Sequence, residues 1–495
     1  FQAEDGIRDC LLSRGLGDVY KRQVVSDIKP IIDFGLIMVL GIFITFIFAF
    51  ILFGSFMPLI KREFLNLGID KSKGIYLYDQ TGRQLIDGPG GMWNVNVGHG
   101  VKEIADAVYN QITKMPYASP FTESTEIAYN YASRLVKYAP GDLKRVFFTS
   151  GGSSAVDSAL RFVMFYNNVR GLRDKKQIIS RHDAYHGSTF LGASCSGKER
   201  DKNNFDFADN LVHHLSAPNP FKKPDDLSDE EFCDLKVREL ENKILELGQD
   251  KVAAFIAEPI LASGGVIVPP KGYHKKTREI CTKYDVIYIS DEIVTGFGRL
   301  GHIFASENYF DLKPDIILLA KGITSGYVPC GAVVISEKLM SQLDNKEKVI
   351  FSNGFTDSGH PVSMAAATAT LDYIEKNNLL EHVQEVGPYF QSKLSELIDL
   401  PIVGDVRGEG LMAAVECVIS KEKKDPLNLQ YEIASRINSH CQNLGLIVRP
   451  LFNTCVMSPS LIITKEQIDD LVSILRKGIE LATDDIKKEG LWSAS

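Results

Sequence analysis

Residues 286–296 read VIYISDEIVTG, and residues 316–322 read IILLAKG. Both stretches contain an uninterrupted apolar run followed by charged residues, which are Asp291 and Glu292 in the first and Lys321 in the second. Short continuous apolar runs are typical of strands that are buried on both faces of a mostly parallel sheet. The two stretches therefore predict an α/β fold in which charged groups follow buried strands.

The same pattern recurs along the middle of the chain, where segments of helical length separate the apolar runs. The other predicted strands are Arg145–Thr149, Gln177–Ser180, Val252–Ala257 and Ala332–Ile335. Strands that alternate with helices indicate an α/β domain with a mostly parallel sheet. We predict that this large domain covers residues 119–353.

The C-terminal segment, residues 354–495, has a different pattern, in which helix-length stretches dominate. We predict helices at Pro361–Glu375, Leu379–Ile398, Leu429–Leu444 and Lys465–Thr483, and a strand at Leu411–Val418. Ahead of the large domain, Gly74–Tyr78 and the residues after the turn Asp79–Arg83 predict two more strands. The C-terminal segment thus predicts a second, smaller α+β unit.

Composition and charge exclude several classes of protein. The chain has 495 residues, which leaves room for two or three domains of about 150 residues each. Its net charge is −8 and no basic block stands out, which argues against a nucleic-acid-binding protein. The eight cysteines are scattered without a Cys-x-x-Cys pair. They predict buried thiols in a reducing compartment, with neither a disulfide framework nor a metal site.

The N-terminal segment does not fit this scheme. Residues 1–23 have no helical or strand periodicity and resemble translated sequencing adapter; the alternative is a short disordered tail. Residues 34–53, FGLIMVLGIFITFIFAFILF, contain no charged residue. A stretch of about 20 apolar residues spans a bilayer core of about 30 Å. Residues 24–60 therefore predict a transmembrane helix.

Two interpretations of this helix remain open. It is either a membrane anchor for a cytoplasmic catalytic domain, or a segment from another gene joined to this one. The second is favoured, because Asp27–Pro58 resembles a membrane span of the resistance-nodulation-division transporters and directly follows the adapter-like residues. In that case no membrane partner is expected.

Two loops after predicted strands suit a phosphorylated ring. Residues 148–155, FTSGGSSA, form a glycine-rich turn before a helix predicted to start near Ser154. The backbone N–H groups and the dipole at a helix start bind phosphate well, although such turns are often only turns. In residues 185–189, YHGST, Tyr185 follows a strand and can cover a flat ring; the alternative is a core tyrosine.

The charged residues after the two opening strands supply the rest of a cofactor site. Asp291 can hold a protonated ring nitrogen, whereas Glu292 equally fits a residue that caps a helix. Burial lowers the pKa of a lysine such as Lys321 and makes its amine nucleophilic towards a carbonyl. The alternative is a lysine that extends to solvent at the sheet edge. Together these parts match a pyridoxal-phosphate site, which needs a Schiff-base lysine and a partner for the pyridine nitrogen.

Eight sequence blocks occur in the order found in one known family. They are TSGGSSAVDSAL (149–160), YHGST (185–189), AEPI (257–260), SDEIVTGFGR (290–299), LLAKGITSGYVPCGAVVIS (318–336), GFTDSGHPV (354–362), VRGEGL (406–411) and IVRP (447–450). On these blocks, residues 70–483 resemble the class III (omega-amino-acid) aminotransferases. The resemblance implies fold type I, the aspartate-aminotransferase-like fold, with pyridoxal 5'-phosphate as cofactor and a homodimer with shared active sites. It also implies that residues 61–118 belong to the small domain together with residues 354–495.

The resemblance also assigns roles to individual residues. It implies that Lys321 carries the cofactor as a Schiff base and that Asp291 binds the pyridine nitrogen. The ring is sandwiched by Tyr185 and Ile293, and Glu258 lies near it. The phosphate cradle is formed by Gly151, Gly152 and Ser153, together with Phe355 and Thr356 of the neighbouring subunit. Arg449 receives a substrate carboxylate, and Trp93 lines the substrate pocket.

Two residues depart from the family pattern. Ser154 stands where the family usually has an acid, and Ser263 stands where ornithine- and aminobutyrate-type members have a second glutamate. Without that glutamate, Arg449 is expected to swing away when it is not needed.

The implied reaction is a ping-pong transfer of an amino group from an omega-amino acid or amine to a keto acid, with pyruvate as the expected acceptor. The alternatives are a decarboxylase or aminomutase on the same scaffold, or a membrane-anchored binding component. Beta-alanine, gamma-aminobutyrate, a diamine and a simple amine all remain open as donors.

Overall fold

The strands and their connections define the large domain. The computed structural model describes residues 68–344, 349–427 and 432–493. Within these ranges the strands are β1 (Ile69–Lys73), β2 (Tyr76–Asp79), β3 (Gln84–Asp87), β4 (Leu143–Thr149), β5 (Gln177–Arg181), β6 (Val212–Leu215), β7 (Val252–Ala257), β8 (Ile287–Asp291), β9 (Ile316–Leu319), β10 (Gly331–Ser336), β11 (Val403–Glu409), β12 (Met412–Ser420), β13 (Asp425–Pro426), β14 (Leu446–Ile447), β15 (Arg449–Leu451) and β16 (Thr454–Met457).

The apolar runs predicted as buried strands all lie in one sheet. The order of this seven-stranded sheet is β4–β10–β9–β8–β7–β5–β6. Strand β10 is antiparallel to both of its neighbours, and the other pairs are parallel. The prediction of a mostly parallel sheet in an α/β fold is therefore confirmed. Strand β6 was not predicted, because His213 and His214 interrupt its apolar run.

Helices cover both faces of the large sheet, and the C-terminal helices pack against the smaller sheets. In the described residues they are α1 (Lys102–Lys114), α2 (Glu126–Leu135), α3 (Gly152–Val169), α4 (Phe190–Cys195), α5 (Asp229–Leu247), α6 (Tyr273–Lys283), α7 (Ala305–Phe310), α8 (Glu337–Asp344), α9 (Pro361–Lys376), α10 (Leu379–Ser395), α11 (Ile433–Leu444) and α12 (Lys465–Lys488), besides a helical turn at Gly90–Trp93. Because side chains alternate along a strand, Ile316 and Leu318 pack with α3, and Ile317 and Leu319 pack in the core on the opposite face.

Two smaller sheets lie outside the large one. Strands β1, β2, β3 and β14 form the first, in which β3 and β14 are parallel and Ile86 pairs with Leu446. Strands β11, β12, β16 and β15 form the core of the second, with β13 beside β12. Residues near the start of the described chain are thus hydrogen-bonded to residues near its end. The domain boundaries at residues 118 and 353 remain predictions.

The N-terminal predictions lie outside the described residues, because the adapter-like stretch and the predicted transmembrane helix both precede residue 68. In the part of the chain that the structure describes, no helix is long and apolar enough to cross a membrane. The seven cysteines in that part are buried and free, as predicted for buried thiols.

Candidate active site

A cavity of about 410 Å³ opens at the carboxyl ends of β4, β5, β7, β8 and β9. Ligands of open α/β sheets bind at this edge. The cavity brings together eight of the residues that the sequence singled out, which are Gly151, Gly152, Ser153, Tyr185, Glu258, Asp291, Ile293 and Lys321. Its volume suits a small organic ligand, for which pockets of roughly 300–1,000 Å³ are usual.

The glycine-rich turn ends β4 and begins α3, whose first residue is Gly152. The Ser154 hydroxyl accepts a hydrogen bond from the Gly151 N–H at 3.1 Å and donates one to the Gly151 carbonyl at 2.8 Å. A neighbouring loop packs on this turn, since the Ser188 N–H donates to Ser153 Oγ at 3.1 Å. Gly187 in that loop has a φ of +118°, and a Cβ there would lie 2.6 Å from Ser153 Oγ.

Asp291 ends β8 and is buried in the cavity wall. Its Oδ1 accepts a hydrogen bond from the Ile293 N–H at 3.1 Å, and its Oδ2 lies 2.7 Å from Nδ1 of His186. The other ring nitrogen of His186 is buried and has no hydrogen-bond partner among the described residues. The imidazole therefore fixes the orientation of the Asp291 carboxylate. The sequence analysis did not assign this role to His186.

Lys321 is separated from the end of β9 only by Ala320, and its backbone has a left-handed φ of +43°. A non-glycine residue held in this region costs about 1–3 kcal/mol, and such strain is concentrated at functional sites. The Lys321 ammonium donates to the carbonyl of Met92 at 3.1 Å. Burial, with a further contribution from the charge of Arg449, lowers the pKa of Lys321 to about 8. A lysine with this pKa is largely protonated at pH 7 but loses its proton readily.

Glu258, which follows β7, positions the loop that carries Tyr185. One carboxylate oxygen accepts from the Tyr185 N–H at 2.9 Å, and the other accepts from the Ala262 N–H at 3.1 Å. Burial raises the pKa of Glu258, and the Asp291 charge adds to this effect. Tyr185 itself is 38% exposed and forms one side of the cavity.

Glu292 has a structural role, as the helix-capping alternative predicted. Its carboxylate accepts hydrogen bonds from the N–H groups of Ala305 and Ser306 at the start of α7, at 2.9 and 2.6 Å. It also accepts from the hydroxyls of Thr295 and Ser306. Glu292 is fully buried and does not line the cavity, whereas Asp291 beside it does.

Four predicted residues do not line this cavity. Trp93 is buried in a cluster that contains Ile260, Leu300 and Met412, although its neighbour Asn94 does reach the cavity. Phe355 and Thr356 lie on a loop of which Thr356 is exposed, and the Thr356 carbonyl accepts a hydrogen bond from Tyr117. The predicted roles of these residues remain predictions.

Arg449, the fourth, begins β15 and reaches towards the cavity from the second small sheet. Its guanidinium contacts Sδ of Met92, and its buried Nε has no hydrogen-bond partner in the part of the chain that the structure describes. Burial lowers its pKa, and the nearby charge of Arg200 lowers it further. Ser263, at the position of the missing glutamate, lines the cavity.

Lys198 is a second charged residue that the sequence analysis missed. Its ammonium lies 4.9 Å from the centre of the Tyr185 ring. In the sequence it belongs to the run KERD (198–201), which has the composition of a solvated loop. Nothing in that pattern distinguishes a lysine that is buried beside the site.

Comparison with known proteins places this geometry in a family. The profile of the family "Aminotransferase class-III" matches residues 59–479. The putrescine–pyruvate aminotransferase of Pseudomonas aeruginosa is 38% identical over 83% of this chain and 90% of its own length. Gamma-aminobutyrate transaminase 1 of Oryza sativa subsp. indica is 37% identical over 82% of this chain and 80% of its own length.

Solved structures agree with these relatives. The omega transaminase from Pseudomonas jessenii, in complex with PMP, superimposes with a TM-score of 0.83 at 34% identity and covers 85% of this chain and 94% of its own. The (S)-enantioselective omega-transaminase from Thermomicrobium roseum has a TM-score of 0.81 at 35% identity, over 85% of this chain and 93% of its own. With a family match across most of its length and a fold shared with these enzymes, the chain belongs to the class-III aminotransferases and is a transferase.

Proposed function

We propose that this enzyme transfers an amino group from an omega-amino acid or amine to a keto acid, with pyruvate as the acceptor and Lys321 as the residue that holds pyridoxal 5'-phosphate. One observation carries the proposal. A single cavity contains a lysine with a lowered pKa, a buried carboxylate and a glycine-rich helix start. These are the three elements that the cofactor requires.

The residues present fit the cofactor in size and in chemistry. The turn Gly151–Ser153 offers the start of α3 to a phosphate, where N–H groups and the helix dipole favour negative charge. Asp291 offers a buried carboxylate for a protonated ring nitrogen, and Tyr185 and Ile293 offer apolar surface for the two faces of the ring. The relative from Pseudomonas jessenii was solved with PMP, which supports the same cofactor here.

When bound, the cofactor supplies an electron sink for negative charge on the substrate carbon. The protein residues do the rest. Asp291 keeps a proton on the ring nitrogen, and His186 at 2.7 Å fixes the orientation of its carboxylate. Lys321 would act as the general base that takes a proton from the substrate carbon. Its lowered pKa of about 8 suits this task near neutral pH.

The donor and the acceptor share the site in turn. Arg449 offers a planar guanidinium, which pairs well with a carboxylate, and its buried Nε has no hydrogen-bond partner in the described residues. A keto acid such as pyruvate carries such a carboxylate. The putrescine–pyruvate aminotransferase that resembles this chain supports pyruvate as the acceptor.

We also propose a homodimer in which the loop with Phe355 and Thr356 completes the phosphate site of the partner subunit. Thr356 is exposed and does not line the cavity of its own chain, which is consistent with a role in trans. Thr356→Ala should weaken cofactor binding. In mixed dimers with an inactive Lys321→Ala chain, activity should return only at the site of the Thr356→Ala subunit, because that site keeps Lys321 and receives an intact loop from its partner. Unchanged cofactor affinity in Thr356→Ala would contradict the shared site.

The visible absorbance spectrum of the purified protein tests the proposed function. After addition of pyridoxal phosphate, we expect a yellow band that bleaches with beta-alanine or a simple amine and returns with pyruvate. Release of carbon dioxide, or a shifted amino group without need for a keto acid, would indicate a decarboxylase or an aminomutase instead. No response to any amine would overturn the proposal.

A further inference from the structure

A cluster of positive charges lies beside Tyr185, outside the residues that the proposed chemistry uses. Lys198 is only 9% exposed, and its ammonium lies 4.9 Å from the centre of the Tyr185 ring. Arg200 packs its guanidinium 3.9 Å from the centre of the Phe452 ring. Burial lowers the pKa of Lys198, and the charges of Arg200 and Arg449 lower it further. After burial, the charge of Arg200 also lowers the pKa of Arg449. Three cations therefore meet on one side of the substrate space.

Among the described residues, Lys198 and Arg200 form ion pairs with the same acid, Asp201. Asp201 is shared, because its carboxylate lies 3.0 Å from Nε of Arg200 and 3.7 Å from the ammonium of Lys198. Glu258 is nearby, but both of its oxygens already accept backbone hydrogen bonds from Tyr185 and Ala262. A buried charge without a close partner is costly. A ligand with negative charge would relieve that cost.

This cluster lies beside a second cavity, which adjoins the one that contains Lys321. The second cavity, of about 420 Å³, is lined by Lys198, Arg200 and Phe452, and also by the acids Asp183, Glu199 and Glu416. Glu416 is paired with Arg407 at 2.7 Å. Ser263 lines both this cavity and the one that contains Lys321. The side chain at the junction is thus small and uncharged, and a flexible substrate chain can extend from Lys321 past Ser263 towards Lys198.

We propose that Lys198 and Arg200 form a second anion-binding position, which selects amino donors whose far end carries a carboxylate and disfavours diamines. The inference rests on the proposed function, and it distinguishes among the amino donors that the proposed function leaves open. A carboxylate at this position gains charge-assisted hydrogen bonds. A second ammonium group would instead lie beside Lys198, whose ion pair with Asp201 is 3.7 Å long and is shared with Arg200.

Three donors of equal chain length test this inference: aminocaproate, hexamethylenediamine and hexylamine. The first half-reaction is followed by absorbance on the cofactor-loaded enzyme, and kcat and KM are measured for each donor. We expect the wild type to prefer aminocaproate over the diamine. In Lys198→Met the kcat/KM ratio of aminocaproate to hexylamine should fall about tenfold or more, mainly through KM, since a hydrogen bond to a charged group contributes about 1.5–3 kcal/mol.

Two further variants make the test specific. Lys198→Arg keeps the charge and should retain the preference for aminocaproate. Lys283→Met removes an exposed lysine that is paired with Glu241 and lines neither cavity, and it should leave the donor ratios unchanged. An equal loss for all three donors in Lys198→Met would mean a structural role and would overturn the inference.

The inference can also fail separately from the proposed function. It is overturned if hexylamine is turned over but Lys198→Met leaves the donor ratios unchanged, or if only Arg449→Ala changes them. In both cases the proposed amino transfer still stands. If the wild type reacts with beta-alanine but with none of the three donors, this inference fails and the proposed function stands. If it reacts with no amine at all, both fail.

Discussion

The two sides of the site are built in different ways. On the strand side, Asp291 is the last residue of β8 and Lys321 lies just beyond the adjacent strand β9. The hydrogen bonds between these buried strands hold both positions. On the loop side, Met92, Lys198 and Arg449 come from three distant segments of the chain and reach the site through loops or a strand start. Few backbone hydrogen bonds of the large sheet restrain this second side.

This difference suggests a division of labour. A group that does chemistry must hold its position to within a fraction of an ångström, which a sheet edge provides. A group that selects among substrates tolerates adjustment, and loops carry such groups in many enzymes. Variants on the strand side should therefore slow every donor alike, whereas variants on the loop side should change the ratio between donors.

The largest effect should follow Lys321→Ala. Removal of the amine takes away both the cofactor attachment and the general base, so we expect kcat to fall about 10⁴-fold for every donor. Steady-state rates with several amines and pyruvate measure it. Lys283→Ala, an exposed lysine paired with Glu241, is the control and should keep its activity. A donor-dependent loss in Lys321→Ala would break the proposed division between the two sides.

The adjacent carboxylates give the next largest contrast. Asp291→Asn removes the charge that stabilises a protonated ring nitrogen, so kcat should fall about 10²- to 10³-fold with little change in thermal stability. Glu292→Gln instead disturbs the buried start of α7. It should lower the free energy of unfolding by about 1–3 kcal/mol. Thermal denaturation and steady-state kcat are measured for both variants. Equal losses of stability and of kcat in the two variants would contradict the assigned roles.

The pKa of Lys321 leads to a prediction about pH. Because burial lowers this pKa to about 8, the reactive neutral amine prevails above pH 8 and is lost as the pH falls below it. At pH 8 it should be roughly a hundred times more abundant than in an ordinary lysine of pKa about 10.4. Acylation of the cofactor-free protein, mapped by mass spectrometry, measures this.

An internal control exists for that experiment. The side-chain hydrogen bond to Glu241 raises the pKa of the exposed Lys283, so its labelling should keep increasing well above pH 9. Labelling of Lys321 should level off near pH 9. Parallel pH profiles for the two lysines would contradict the effect of burial.

The strand side could be predicted from the sequence because its signals are local. An apolar run such as Ile316–Leu319 indicates a buried strand, and a charged residue directly after it must lie at the sheet edge. Strand β6 escaped prediction because two histidines at its centre look like a loop. The same physical rule that locates Lys321 therefore fails where a partly exposed strand carries polar residues.

The loop side could not be predicted, because its geometry depends on contacts between distant segments. The carbonyl of Met92 meets Lys321 only because Gly90, Gly91 and Trp93 have left-handed φ values that turn the chain at that point. Lys198 is buried by loops that no local pattern reveals. The orientation of such residues becomes visible only when the whole fold is assembled.

Gly187→Ala tests how the two sides meet. A methyl group there would lie 2.6 Å from Ser153 Oγ and 2.9 Å from Ser153 Cα, at a φ of +118°. Displacement of the phosphate turn should raise the cofactor dissociation constant about tenfold, which corresponds to about 1.4 kcal/mol. Gly171→Ala is the control. Gly171 has a φ of +85°, and no atom lies within 4 Å of the added methyl group, so this variant strains the backbone without creating a new contact. Equal cofactor affinity in both variants would exclude the contact with Ser153.

The smallest effect should come from Ser154→Ala, at the departure from the family pattern. The Ser154 hydroxyl bonds both the N–H and the carbonyl of Gly151, so its loss removes a cap at the start of α3 and loosens the cofactor side of the site. Loss of a capping side chain costs about 0.5–2 kcal/mol, and we expect cofactor affinity to fall by a few fold. Because the loop side is untouched, the donor ratios should stay at their wild-type values. Cofactor titration and donor competition measure both quantities, and a changed donor ratio would show that the strand side also selects the substrate.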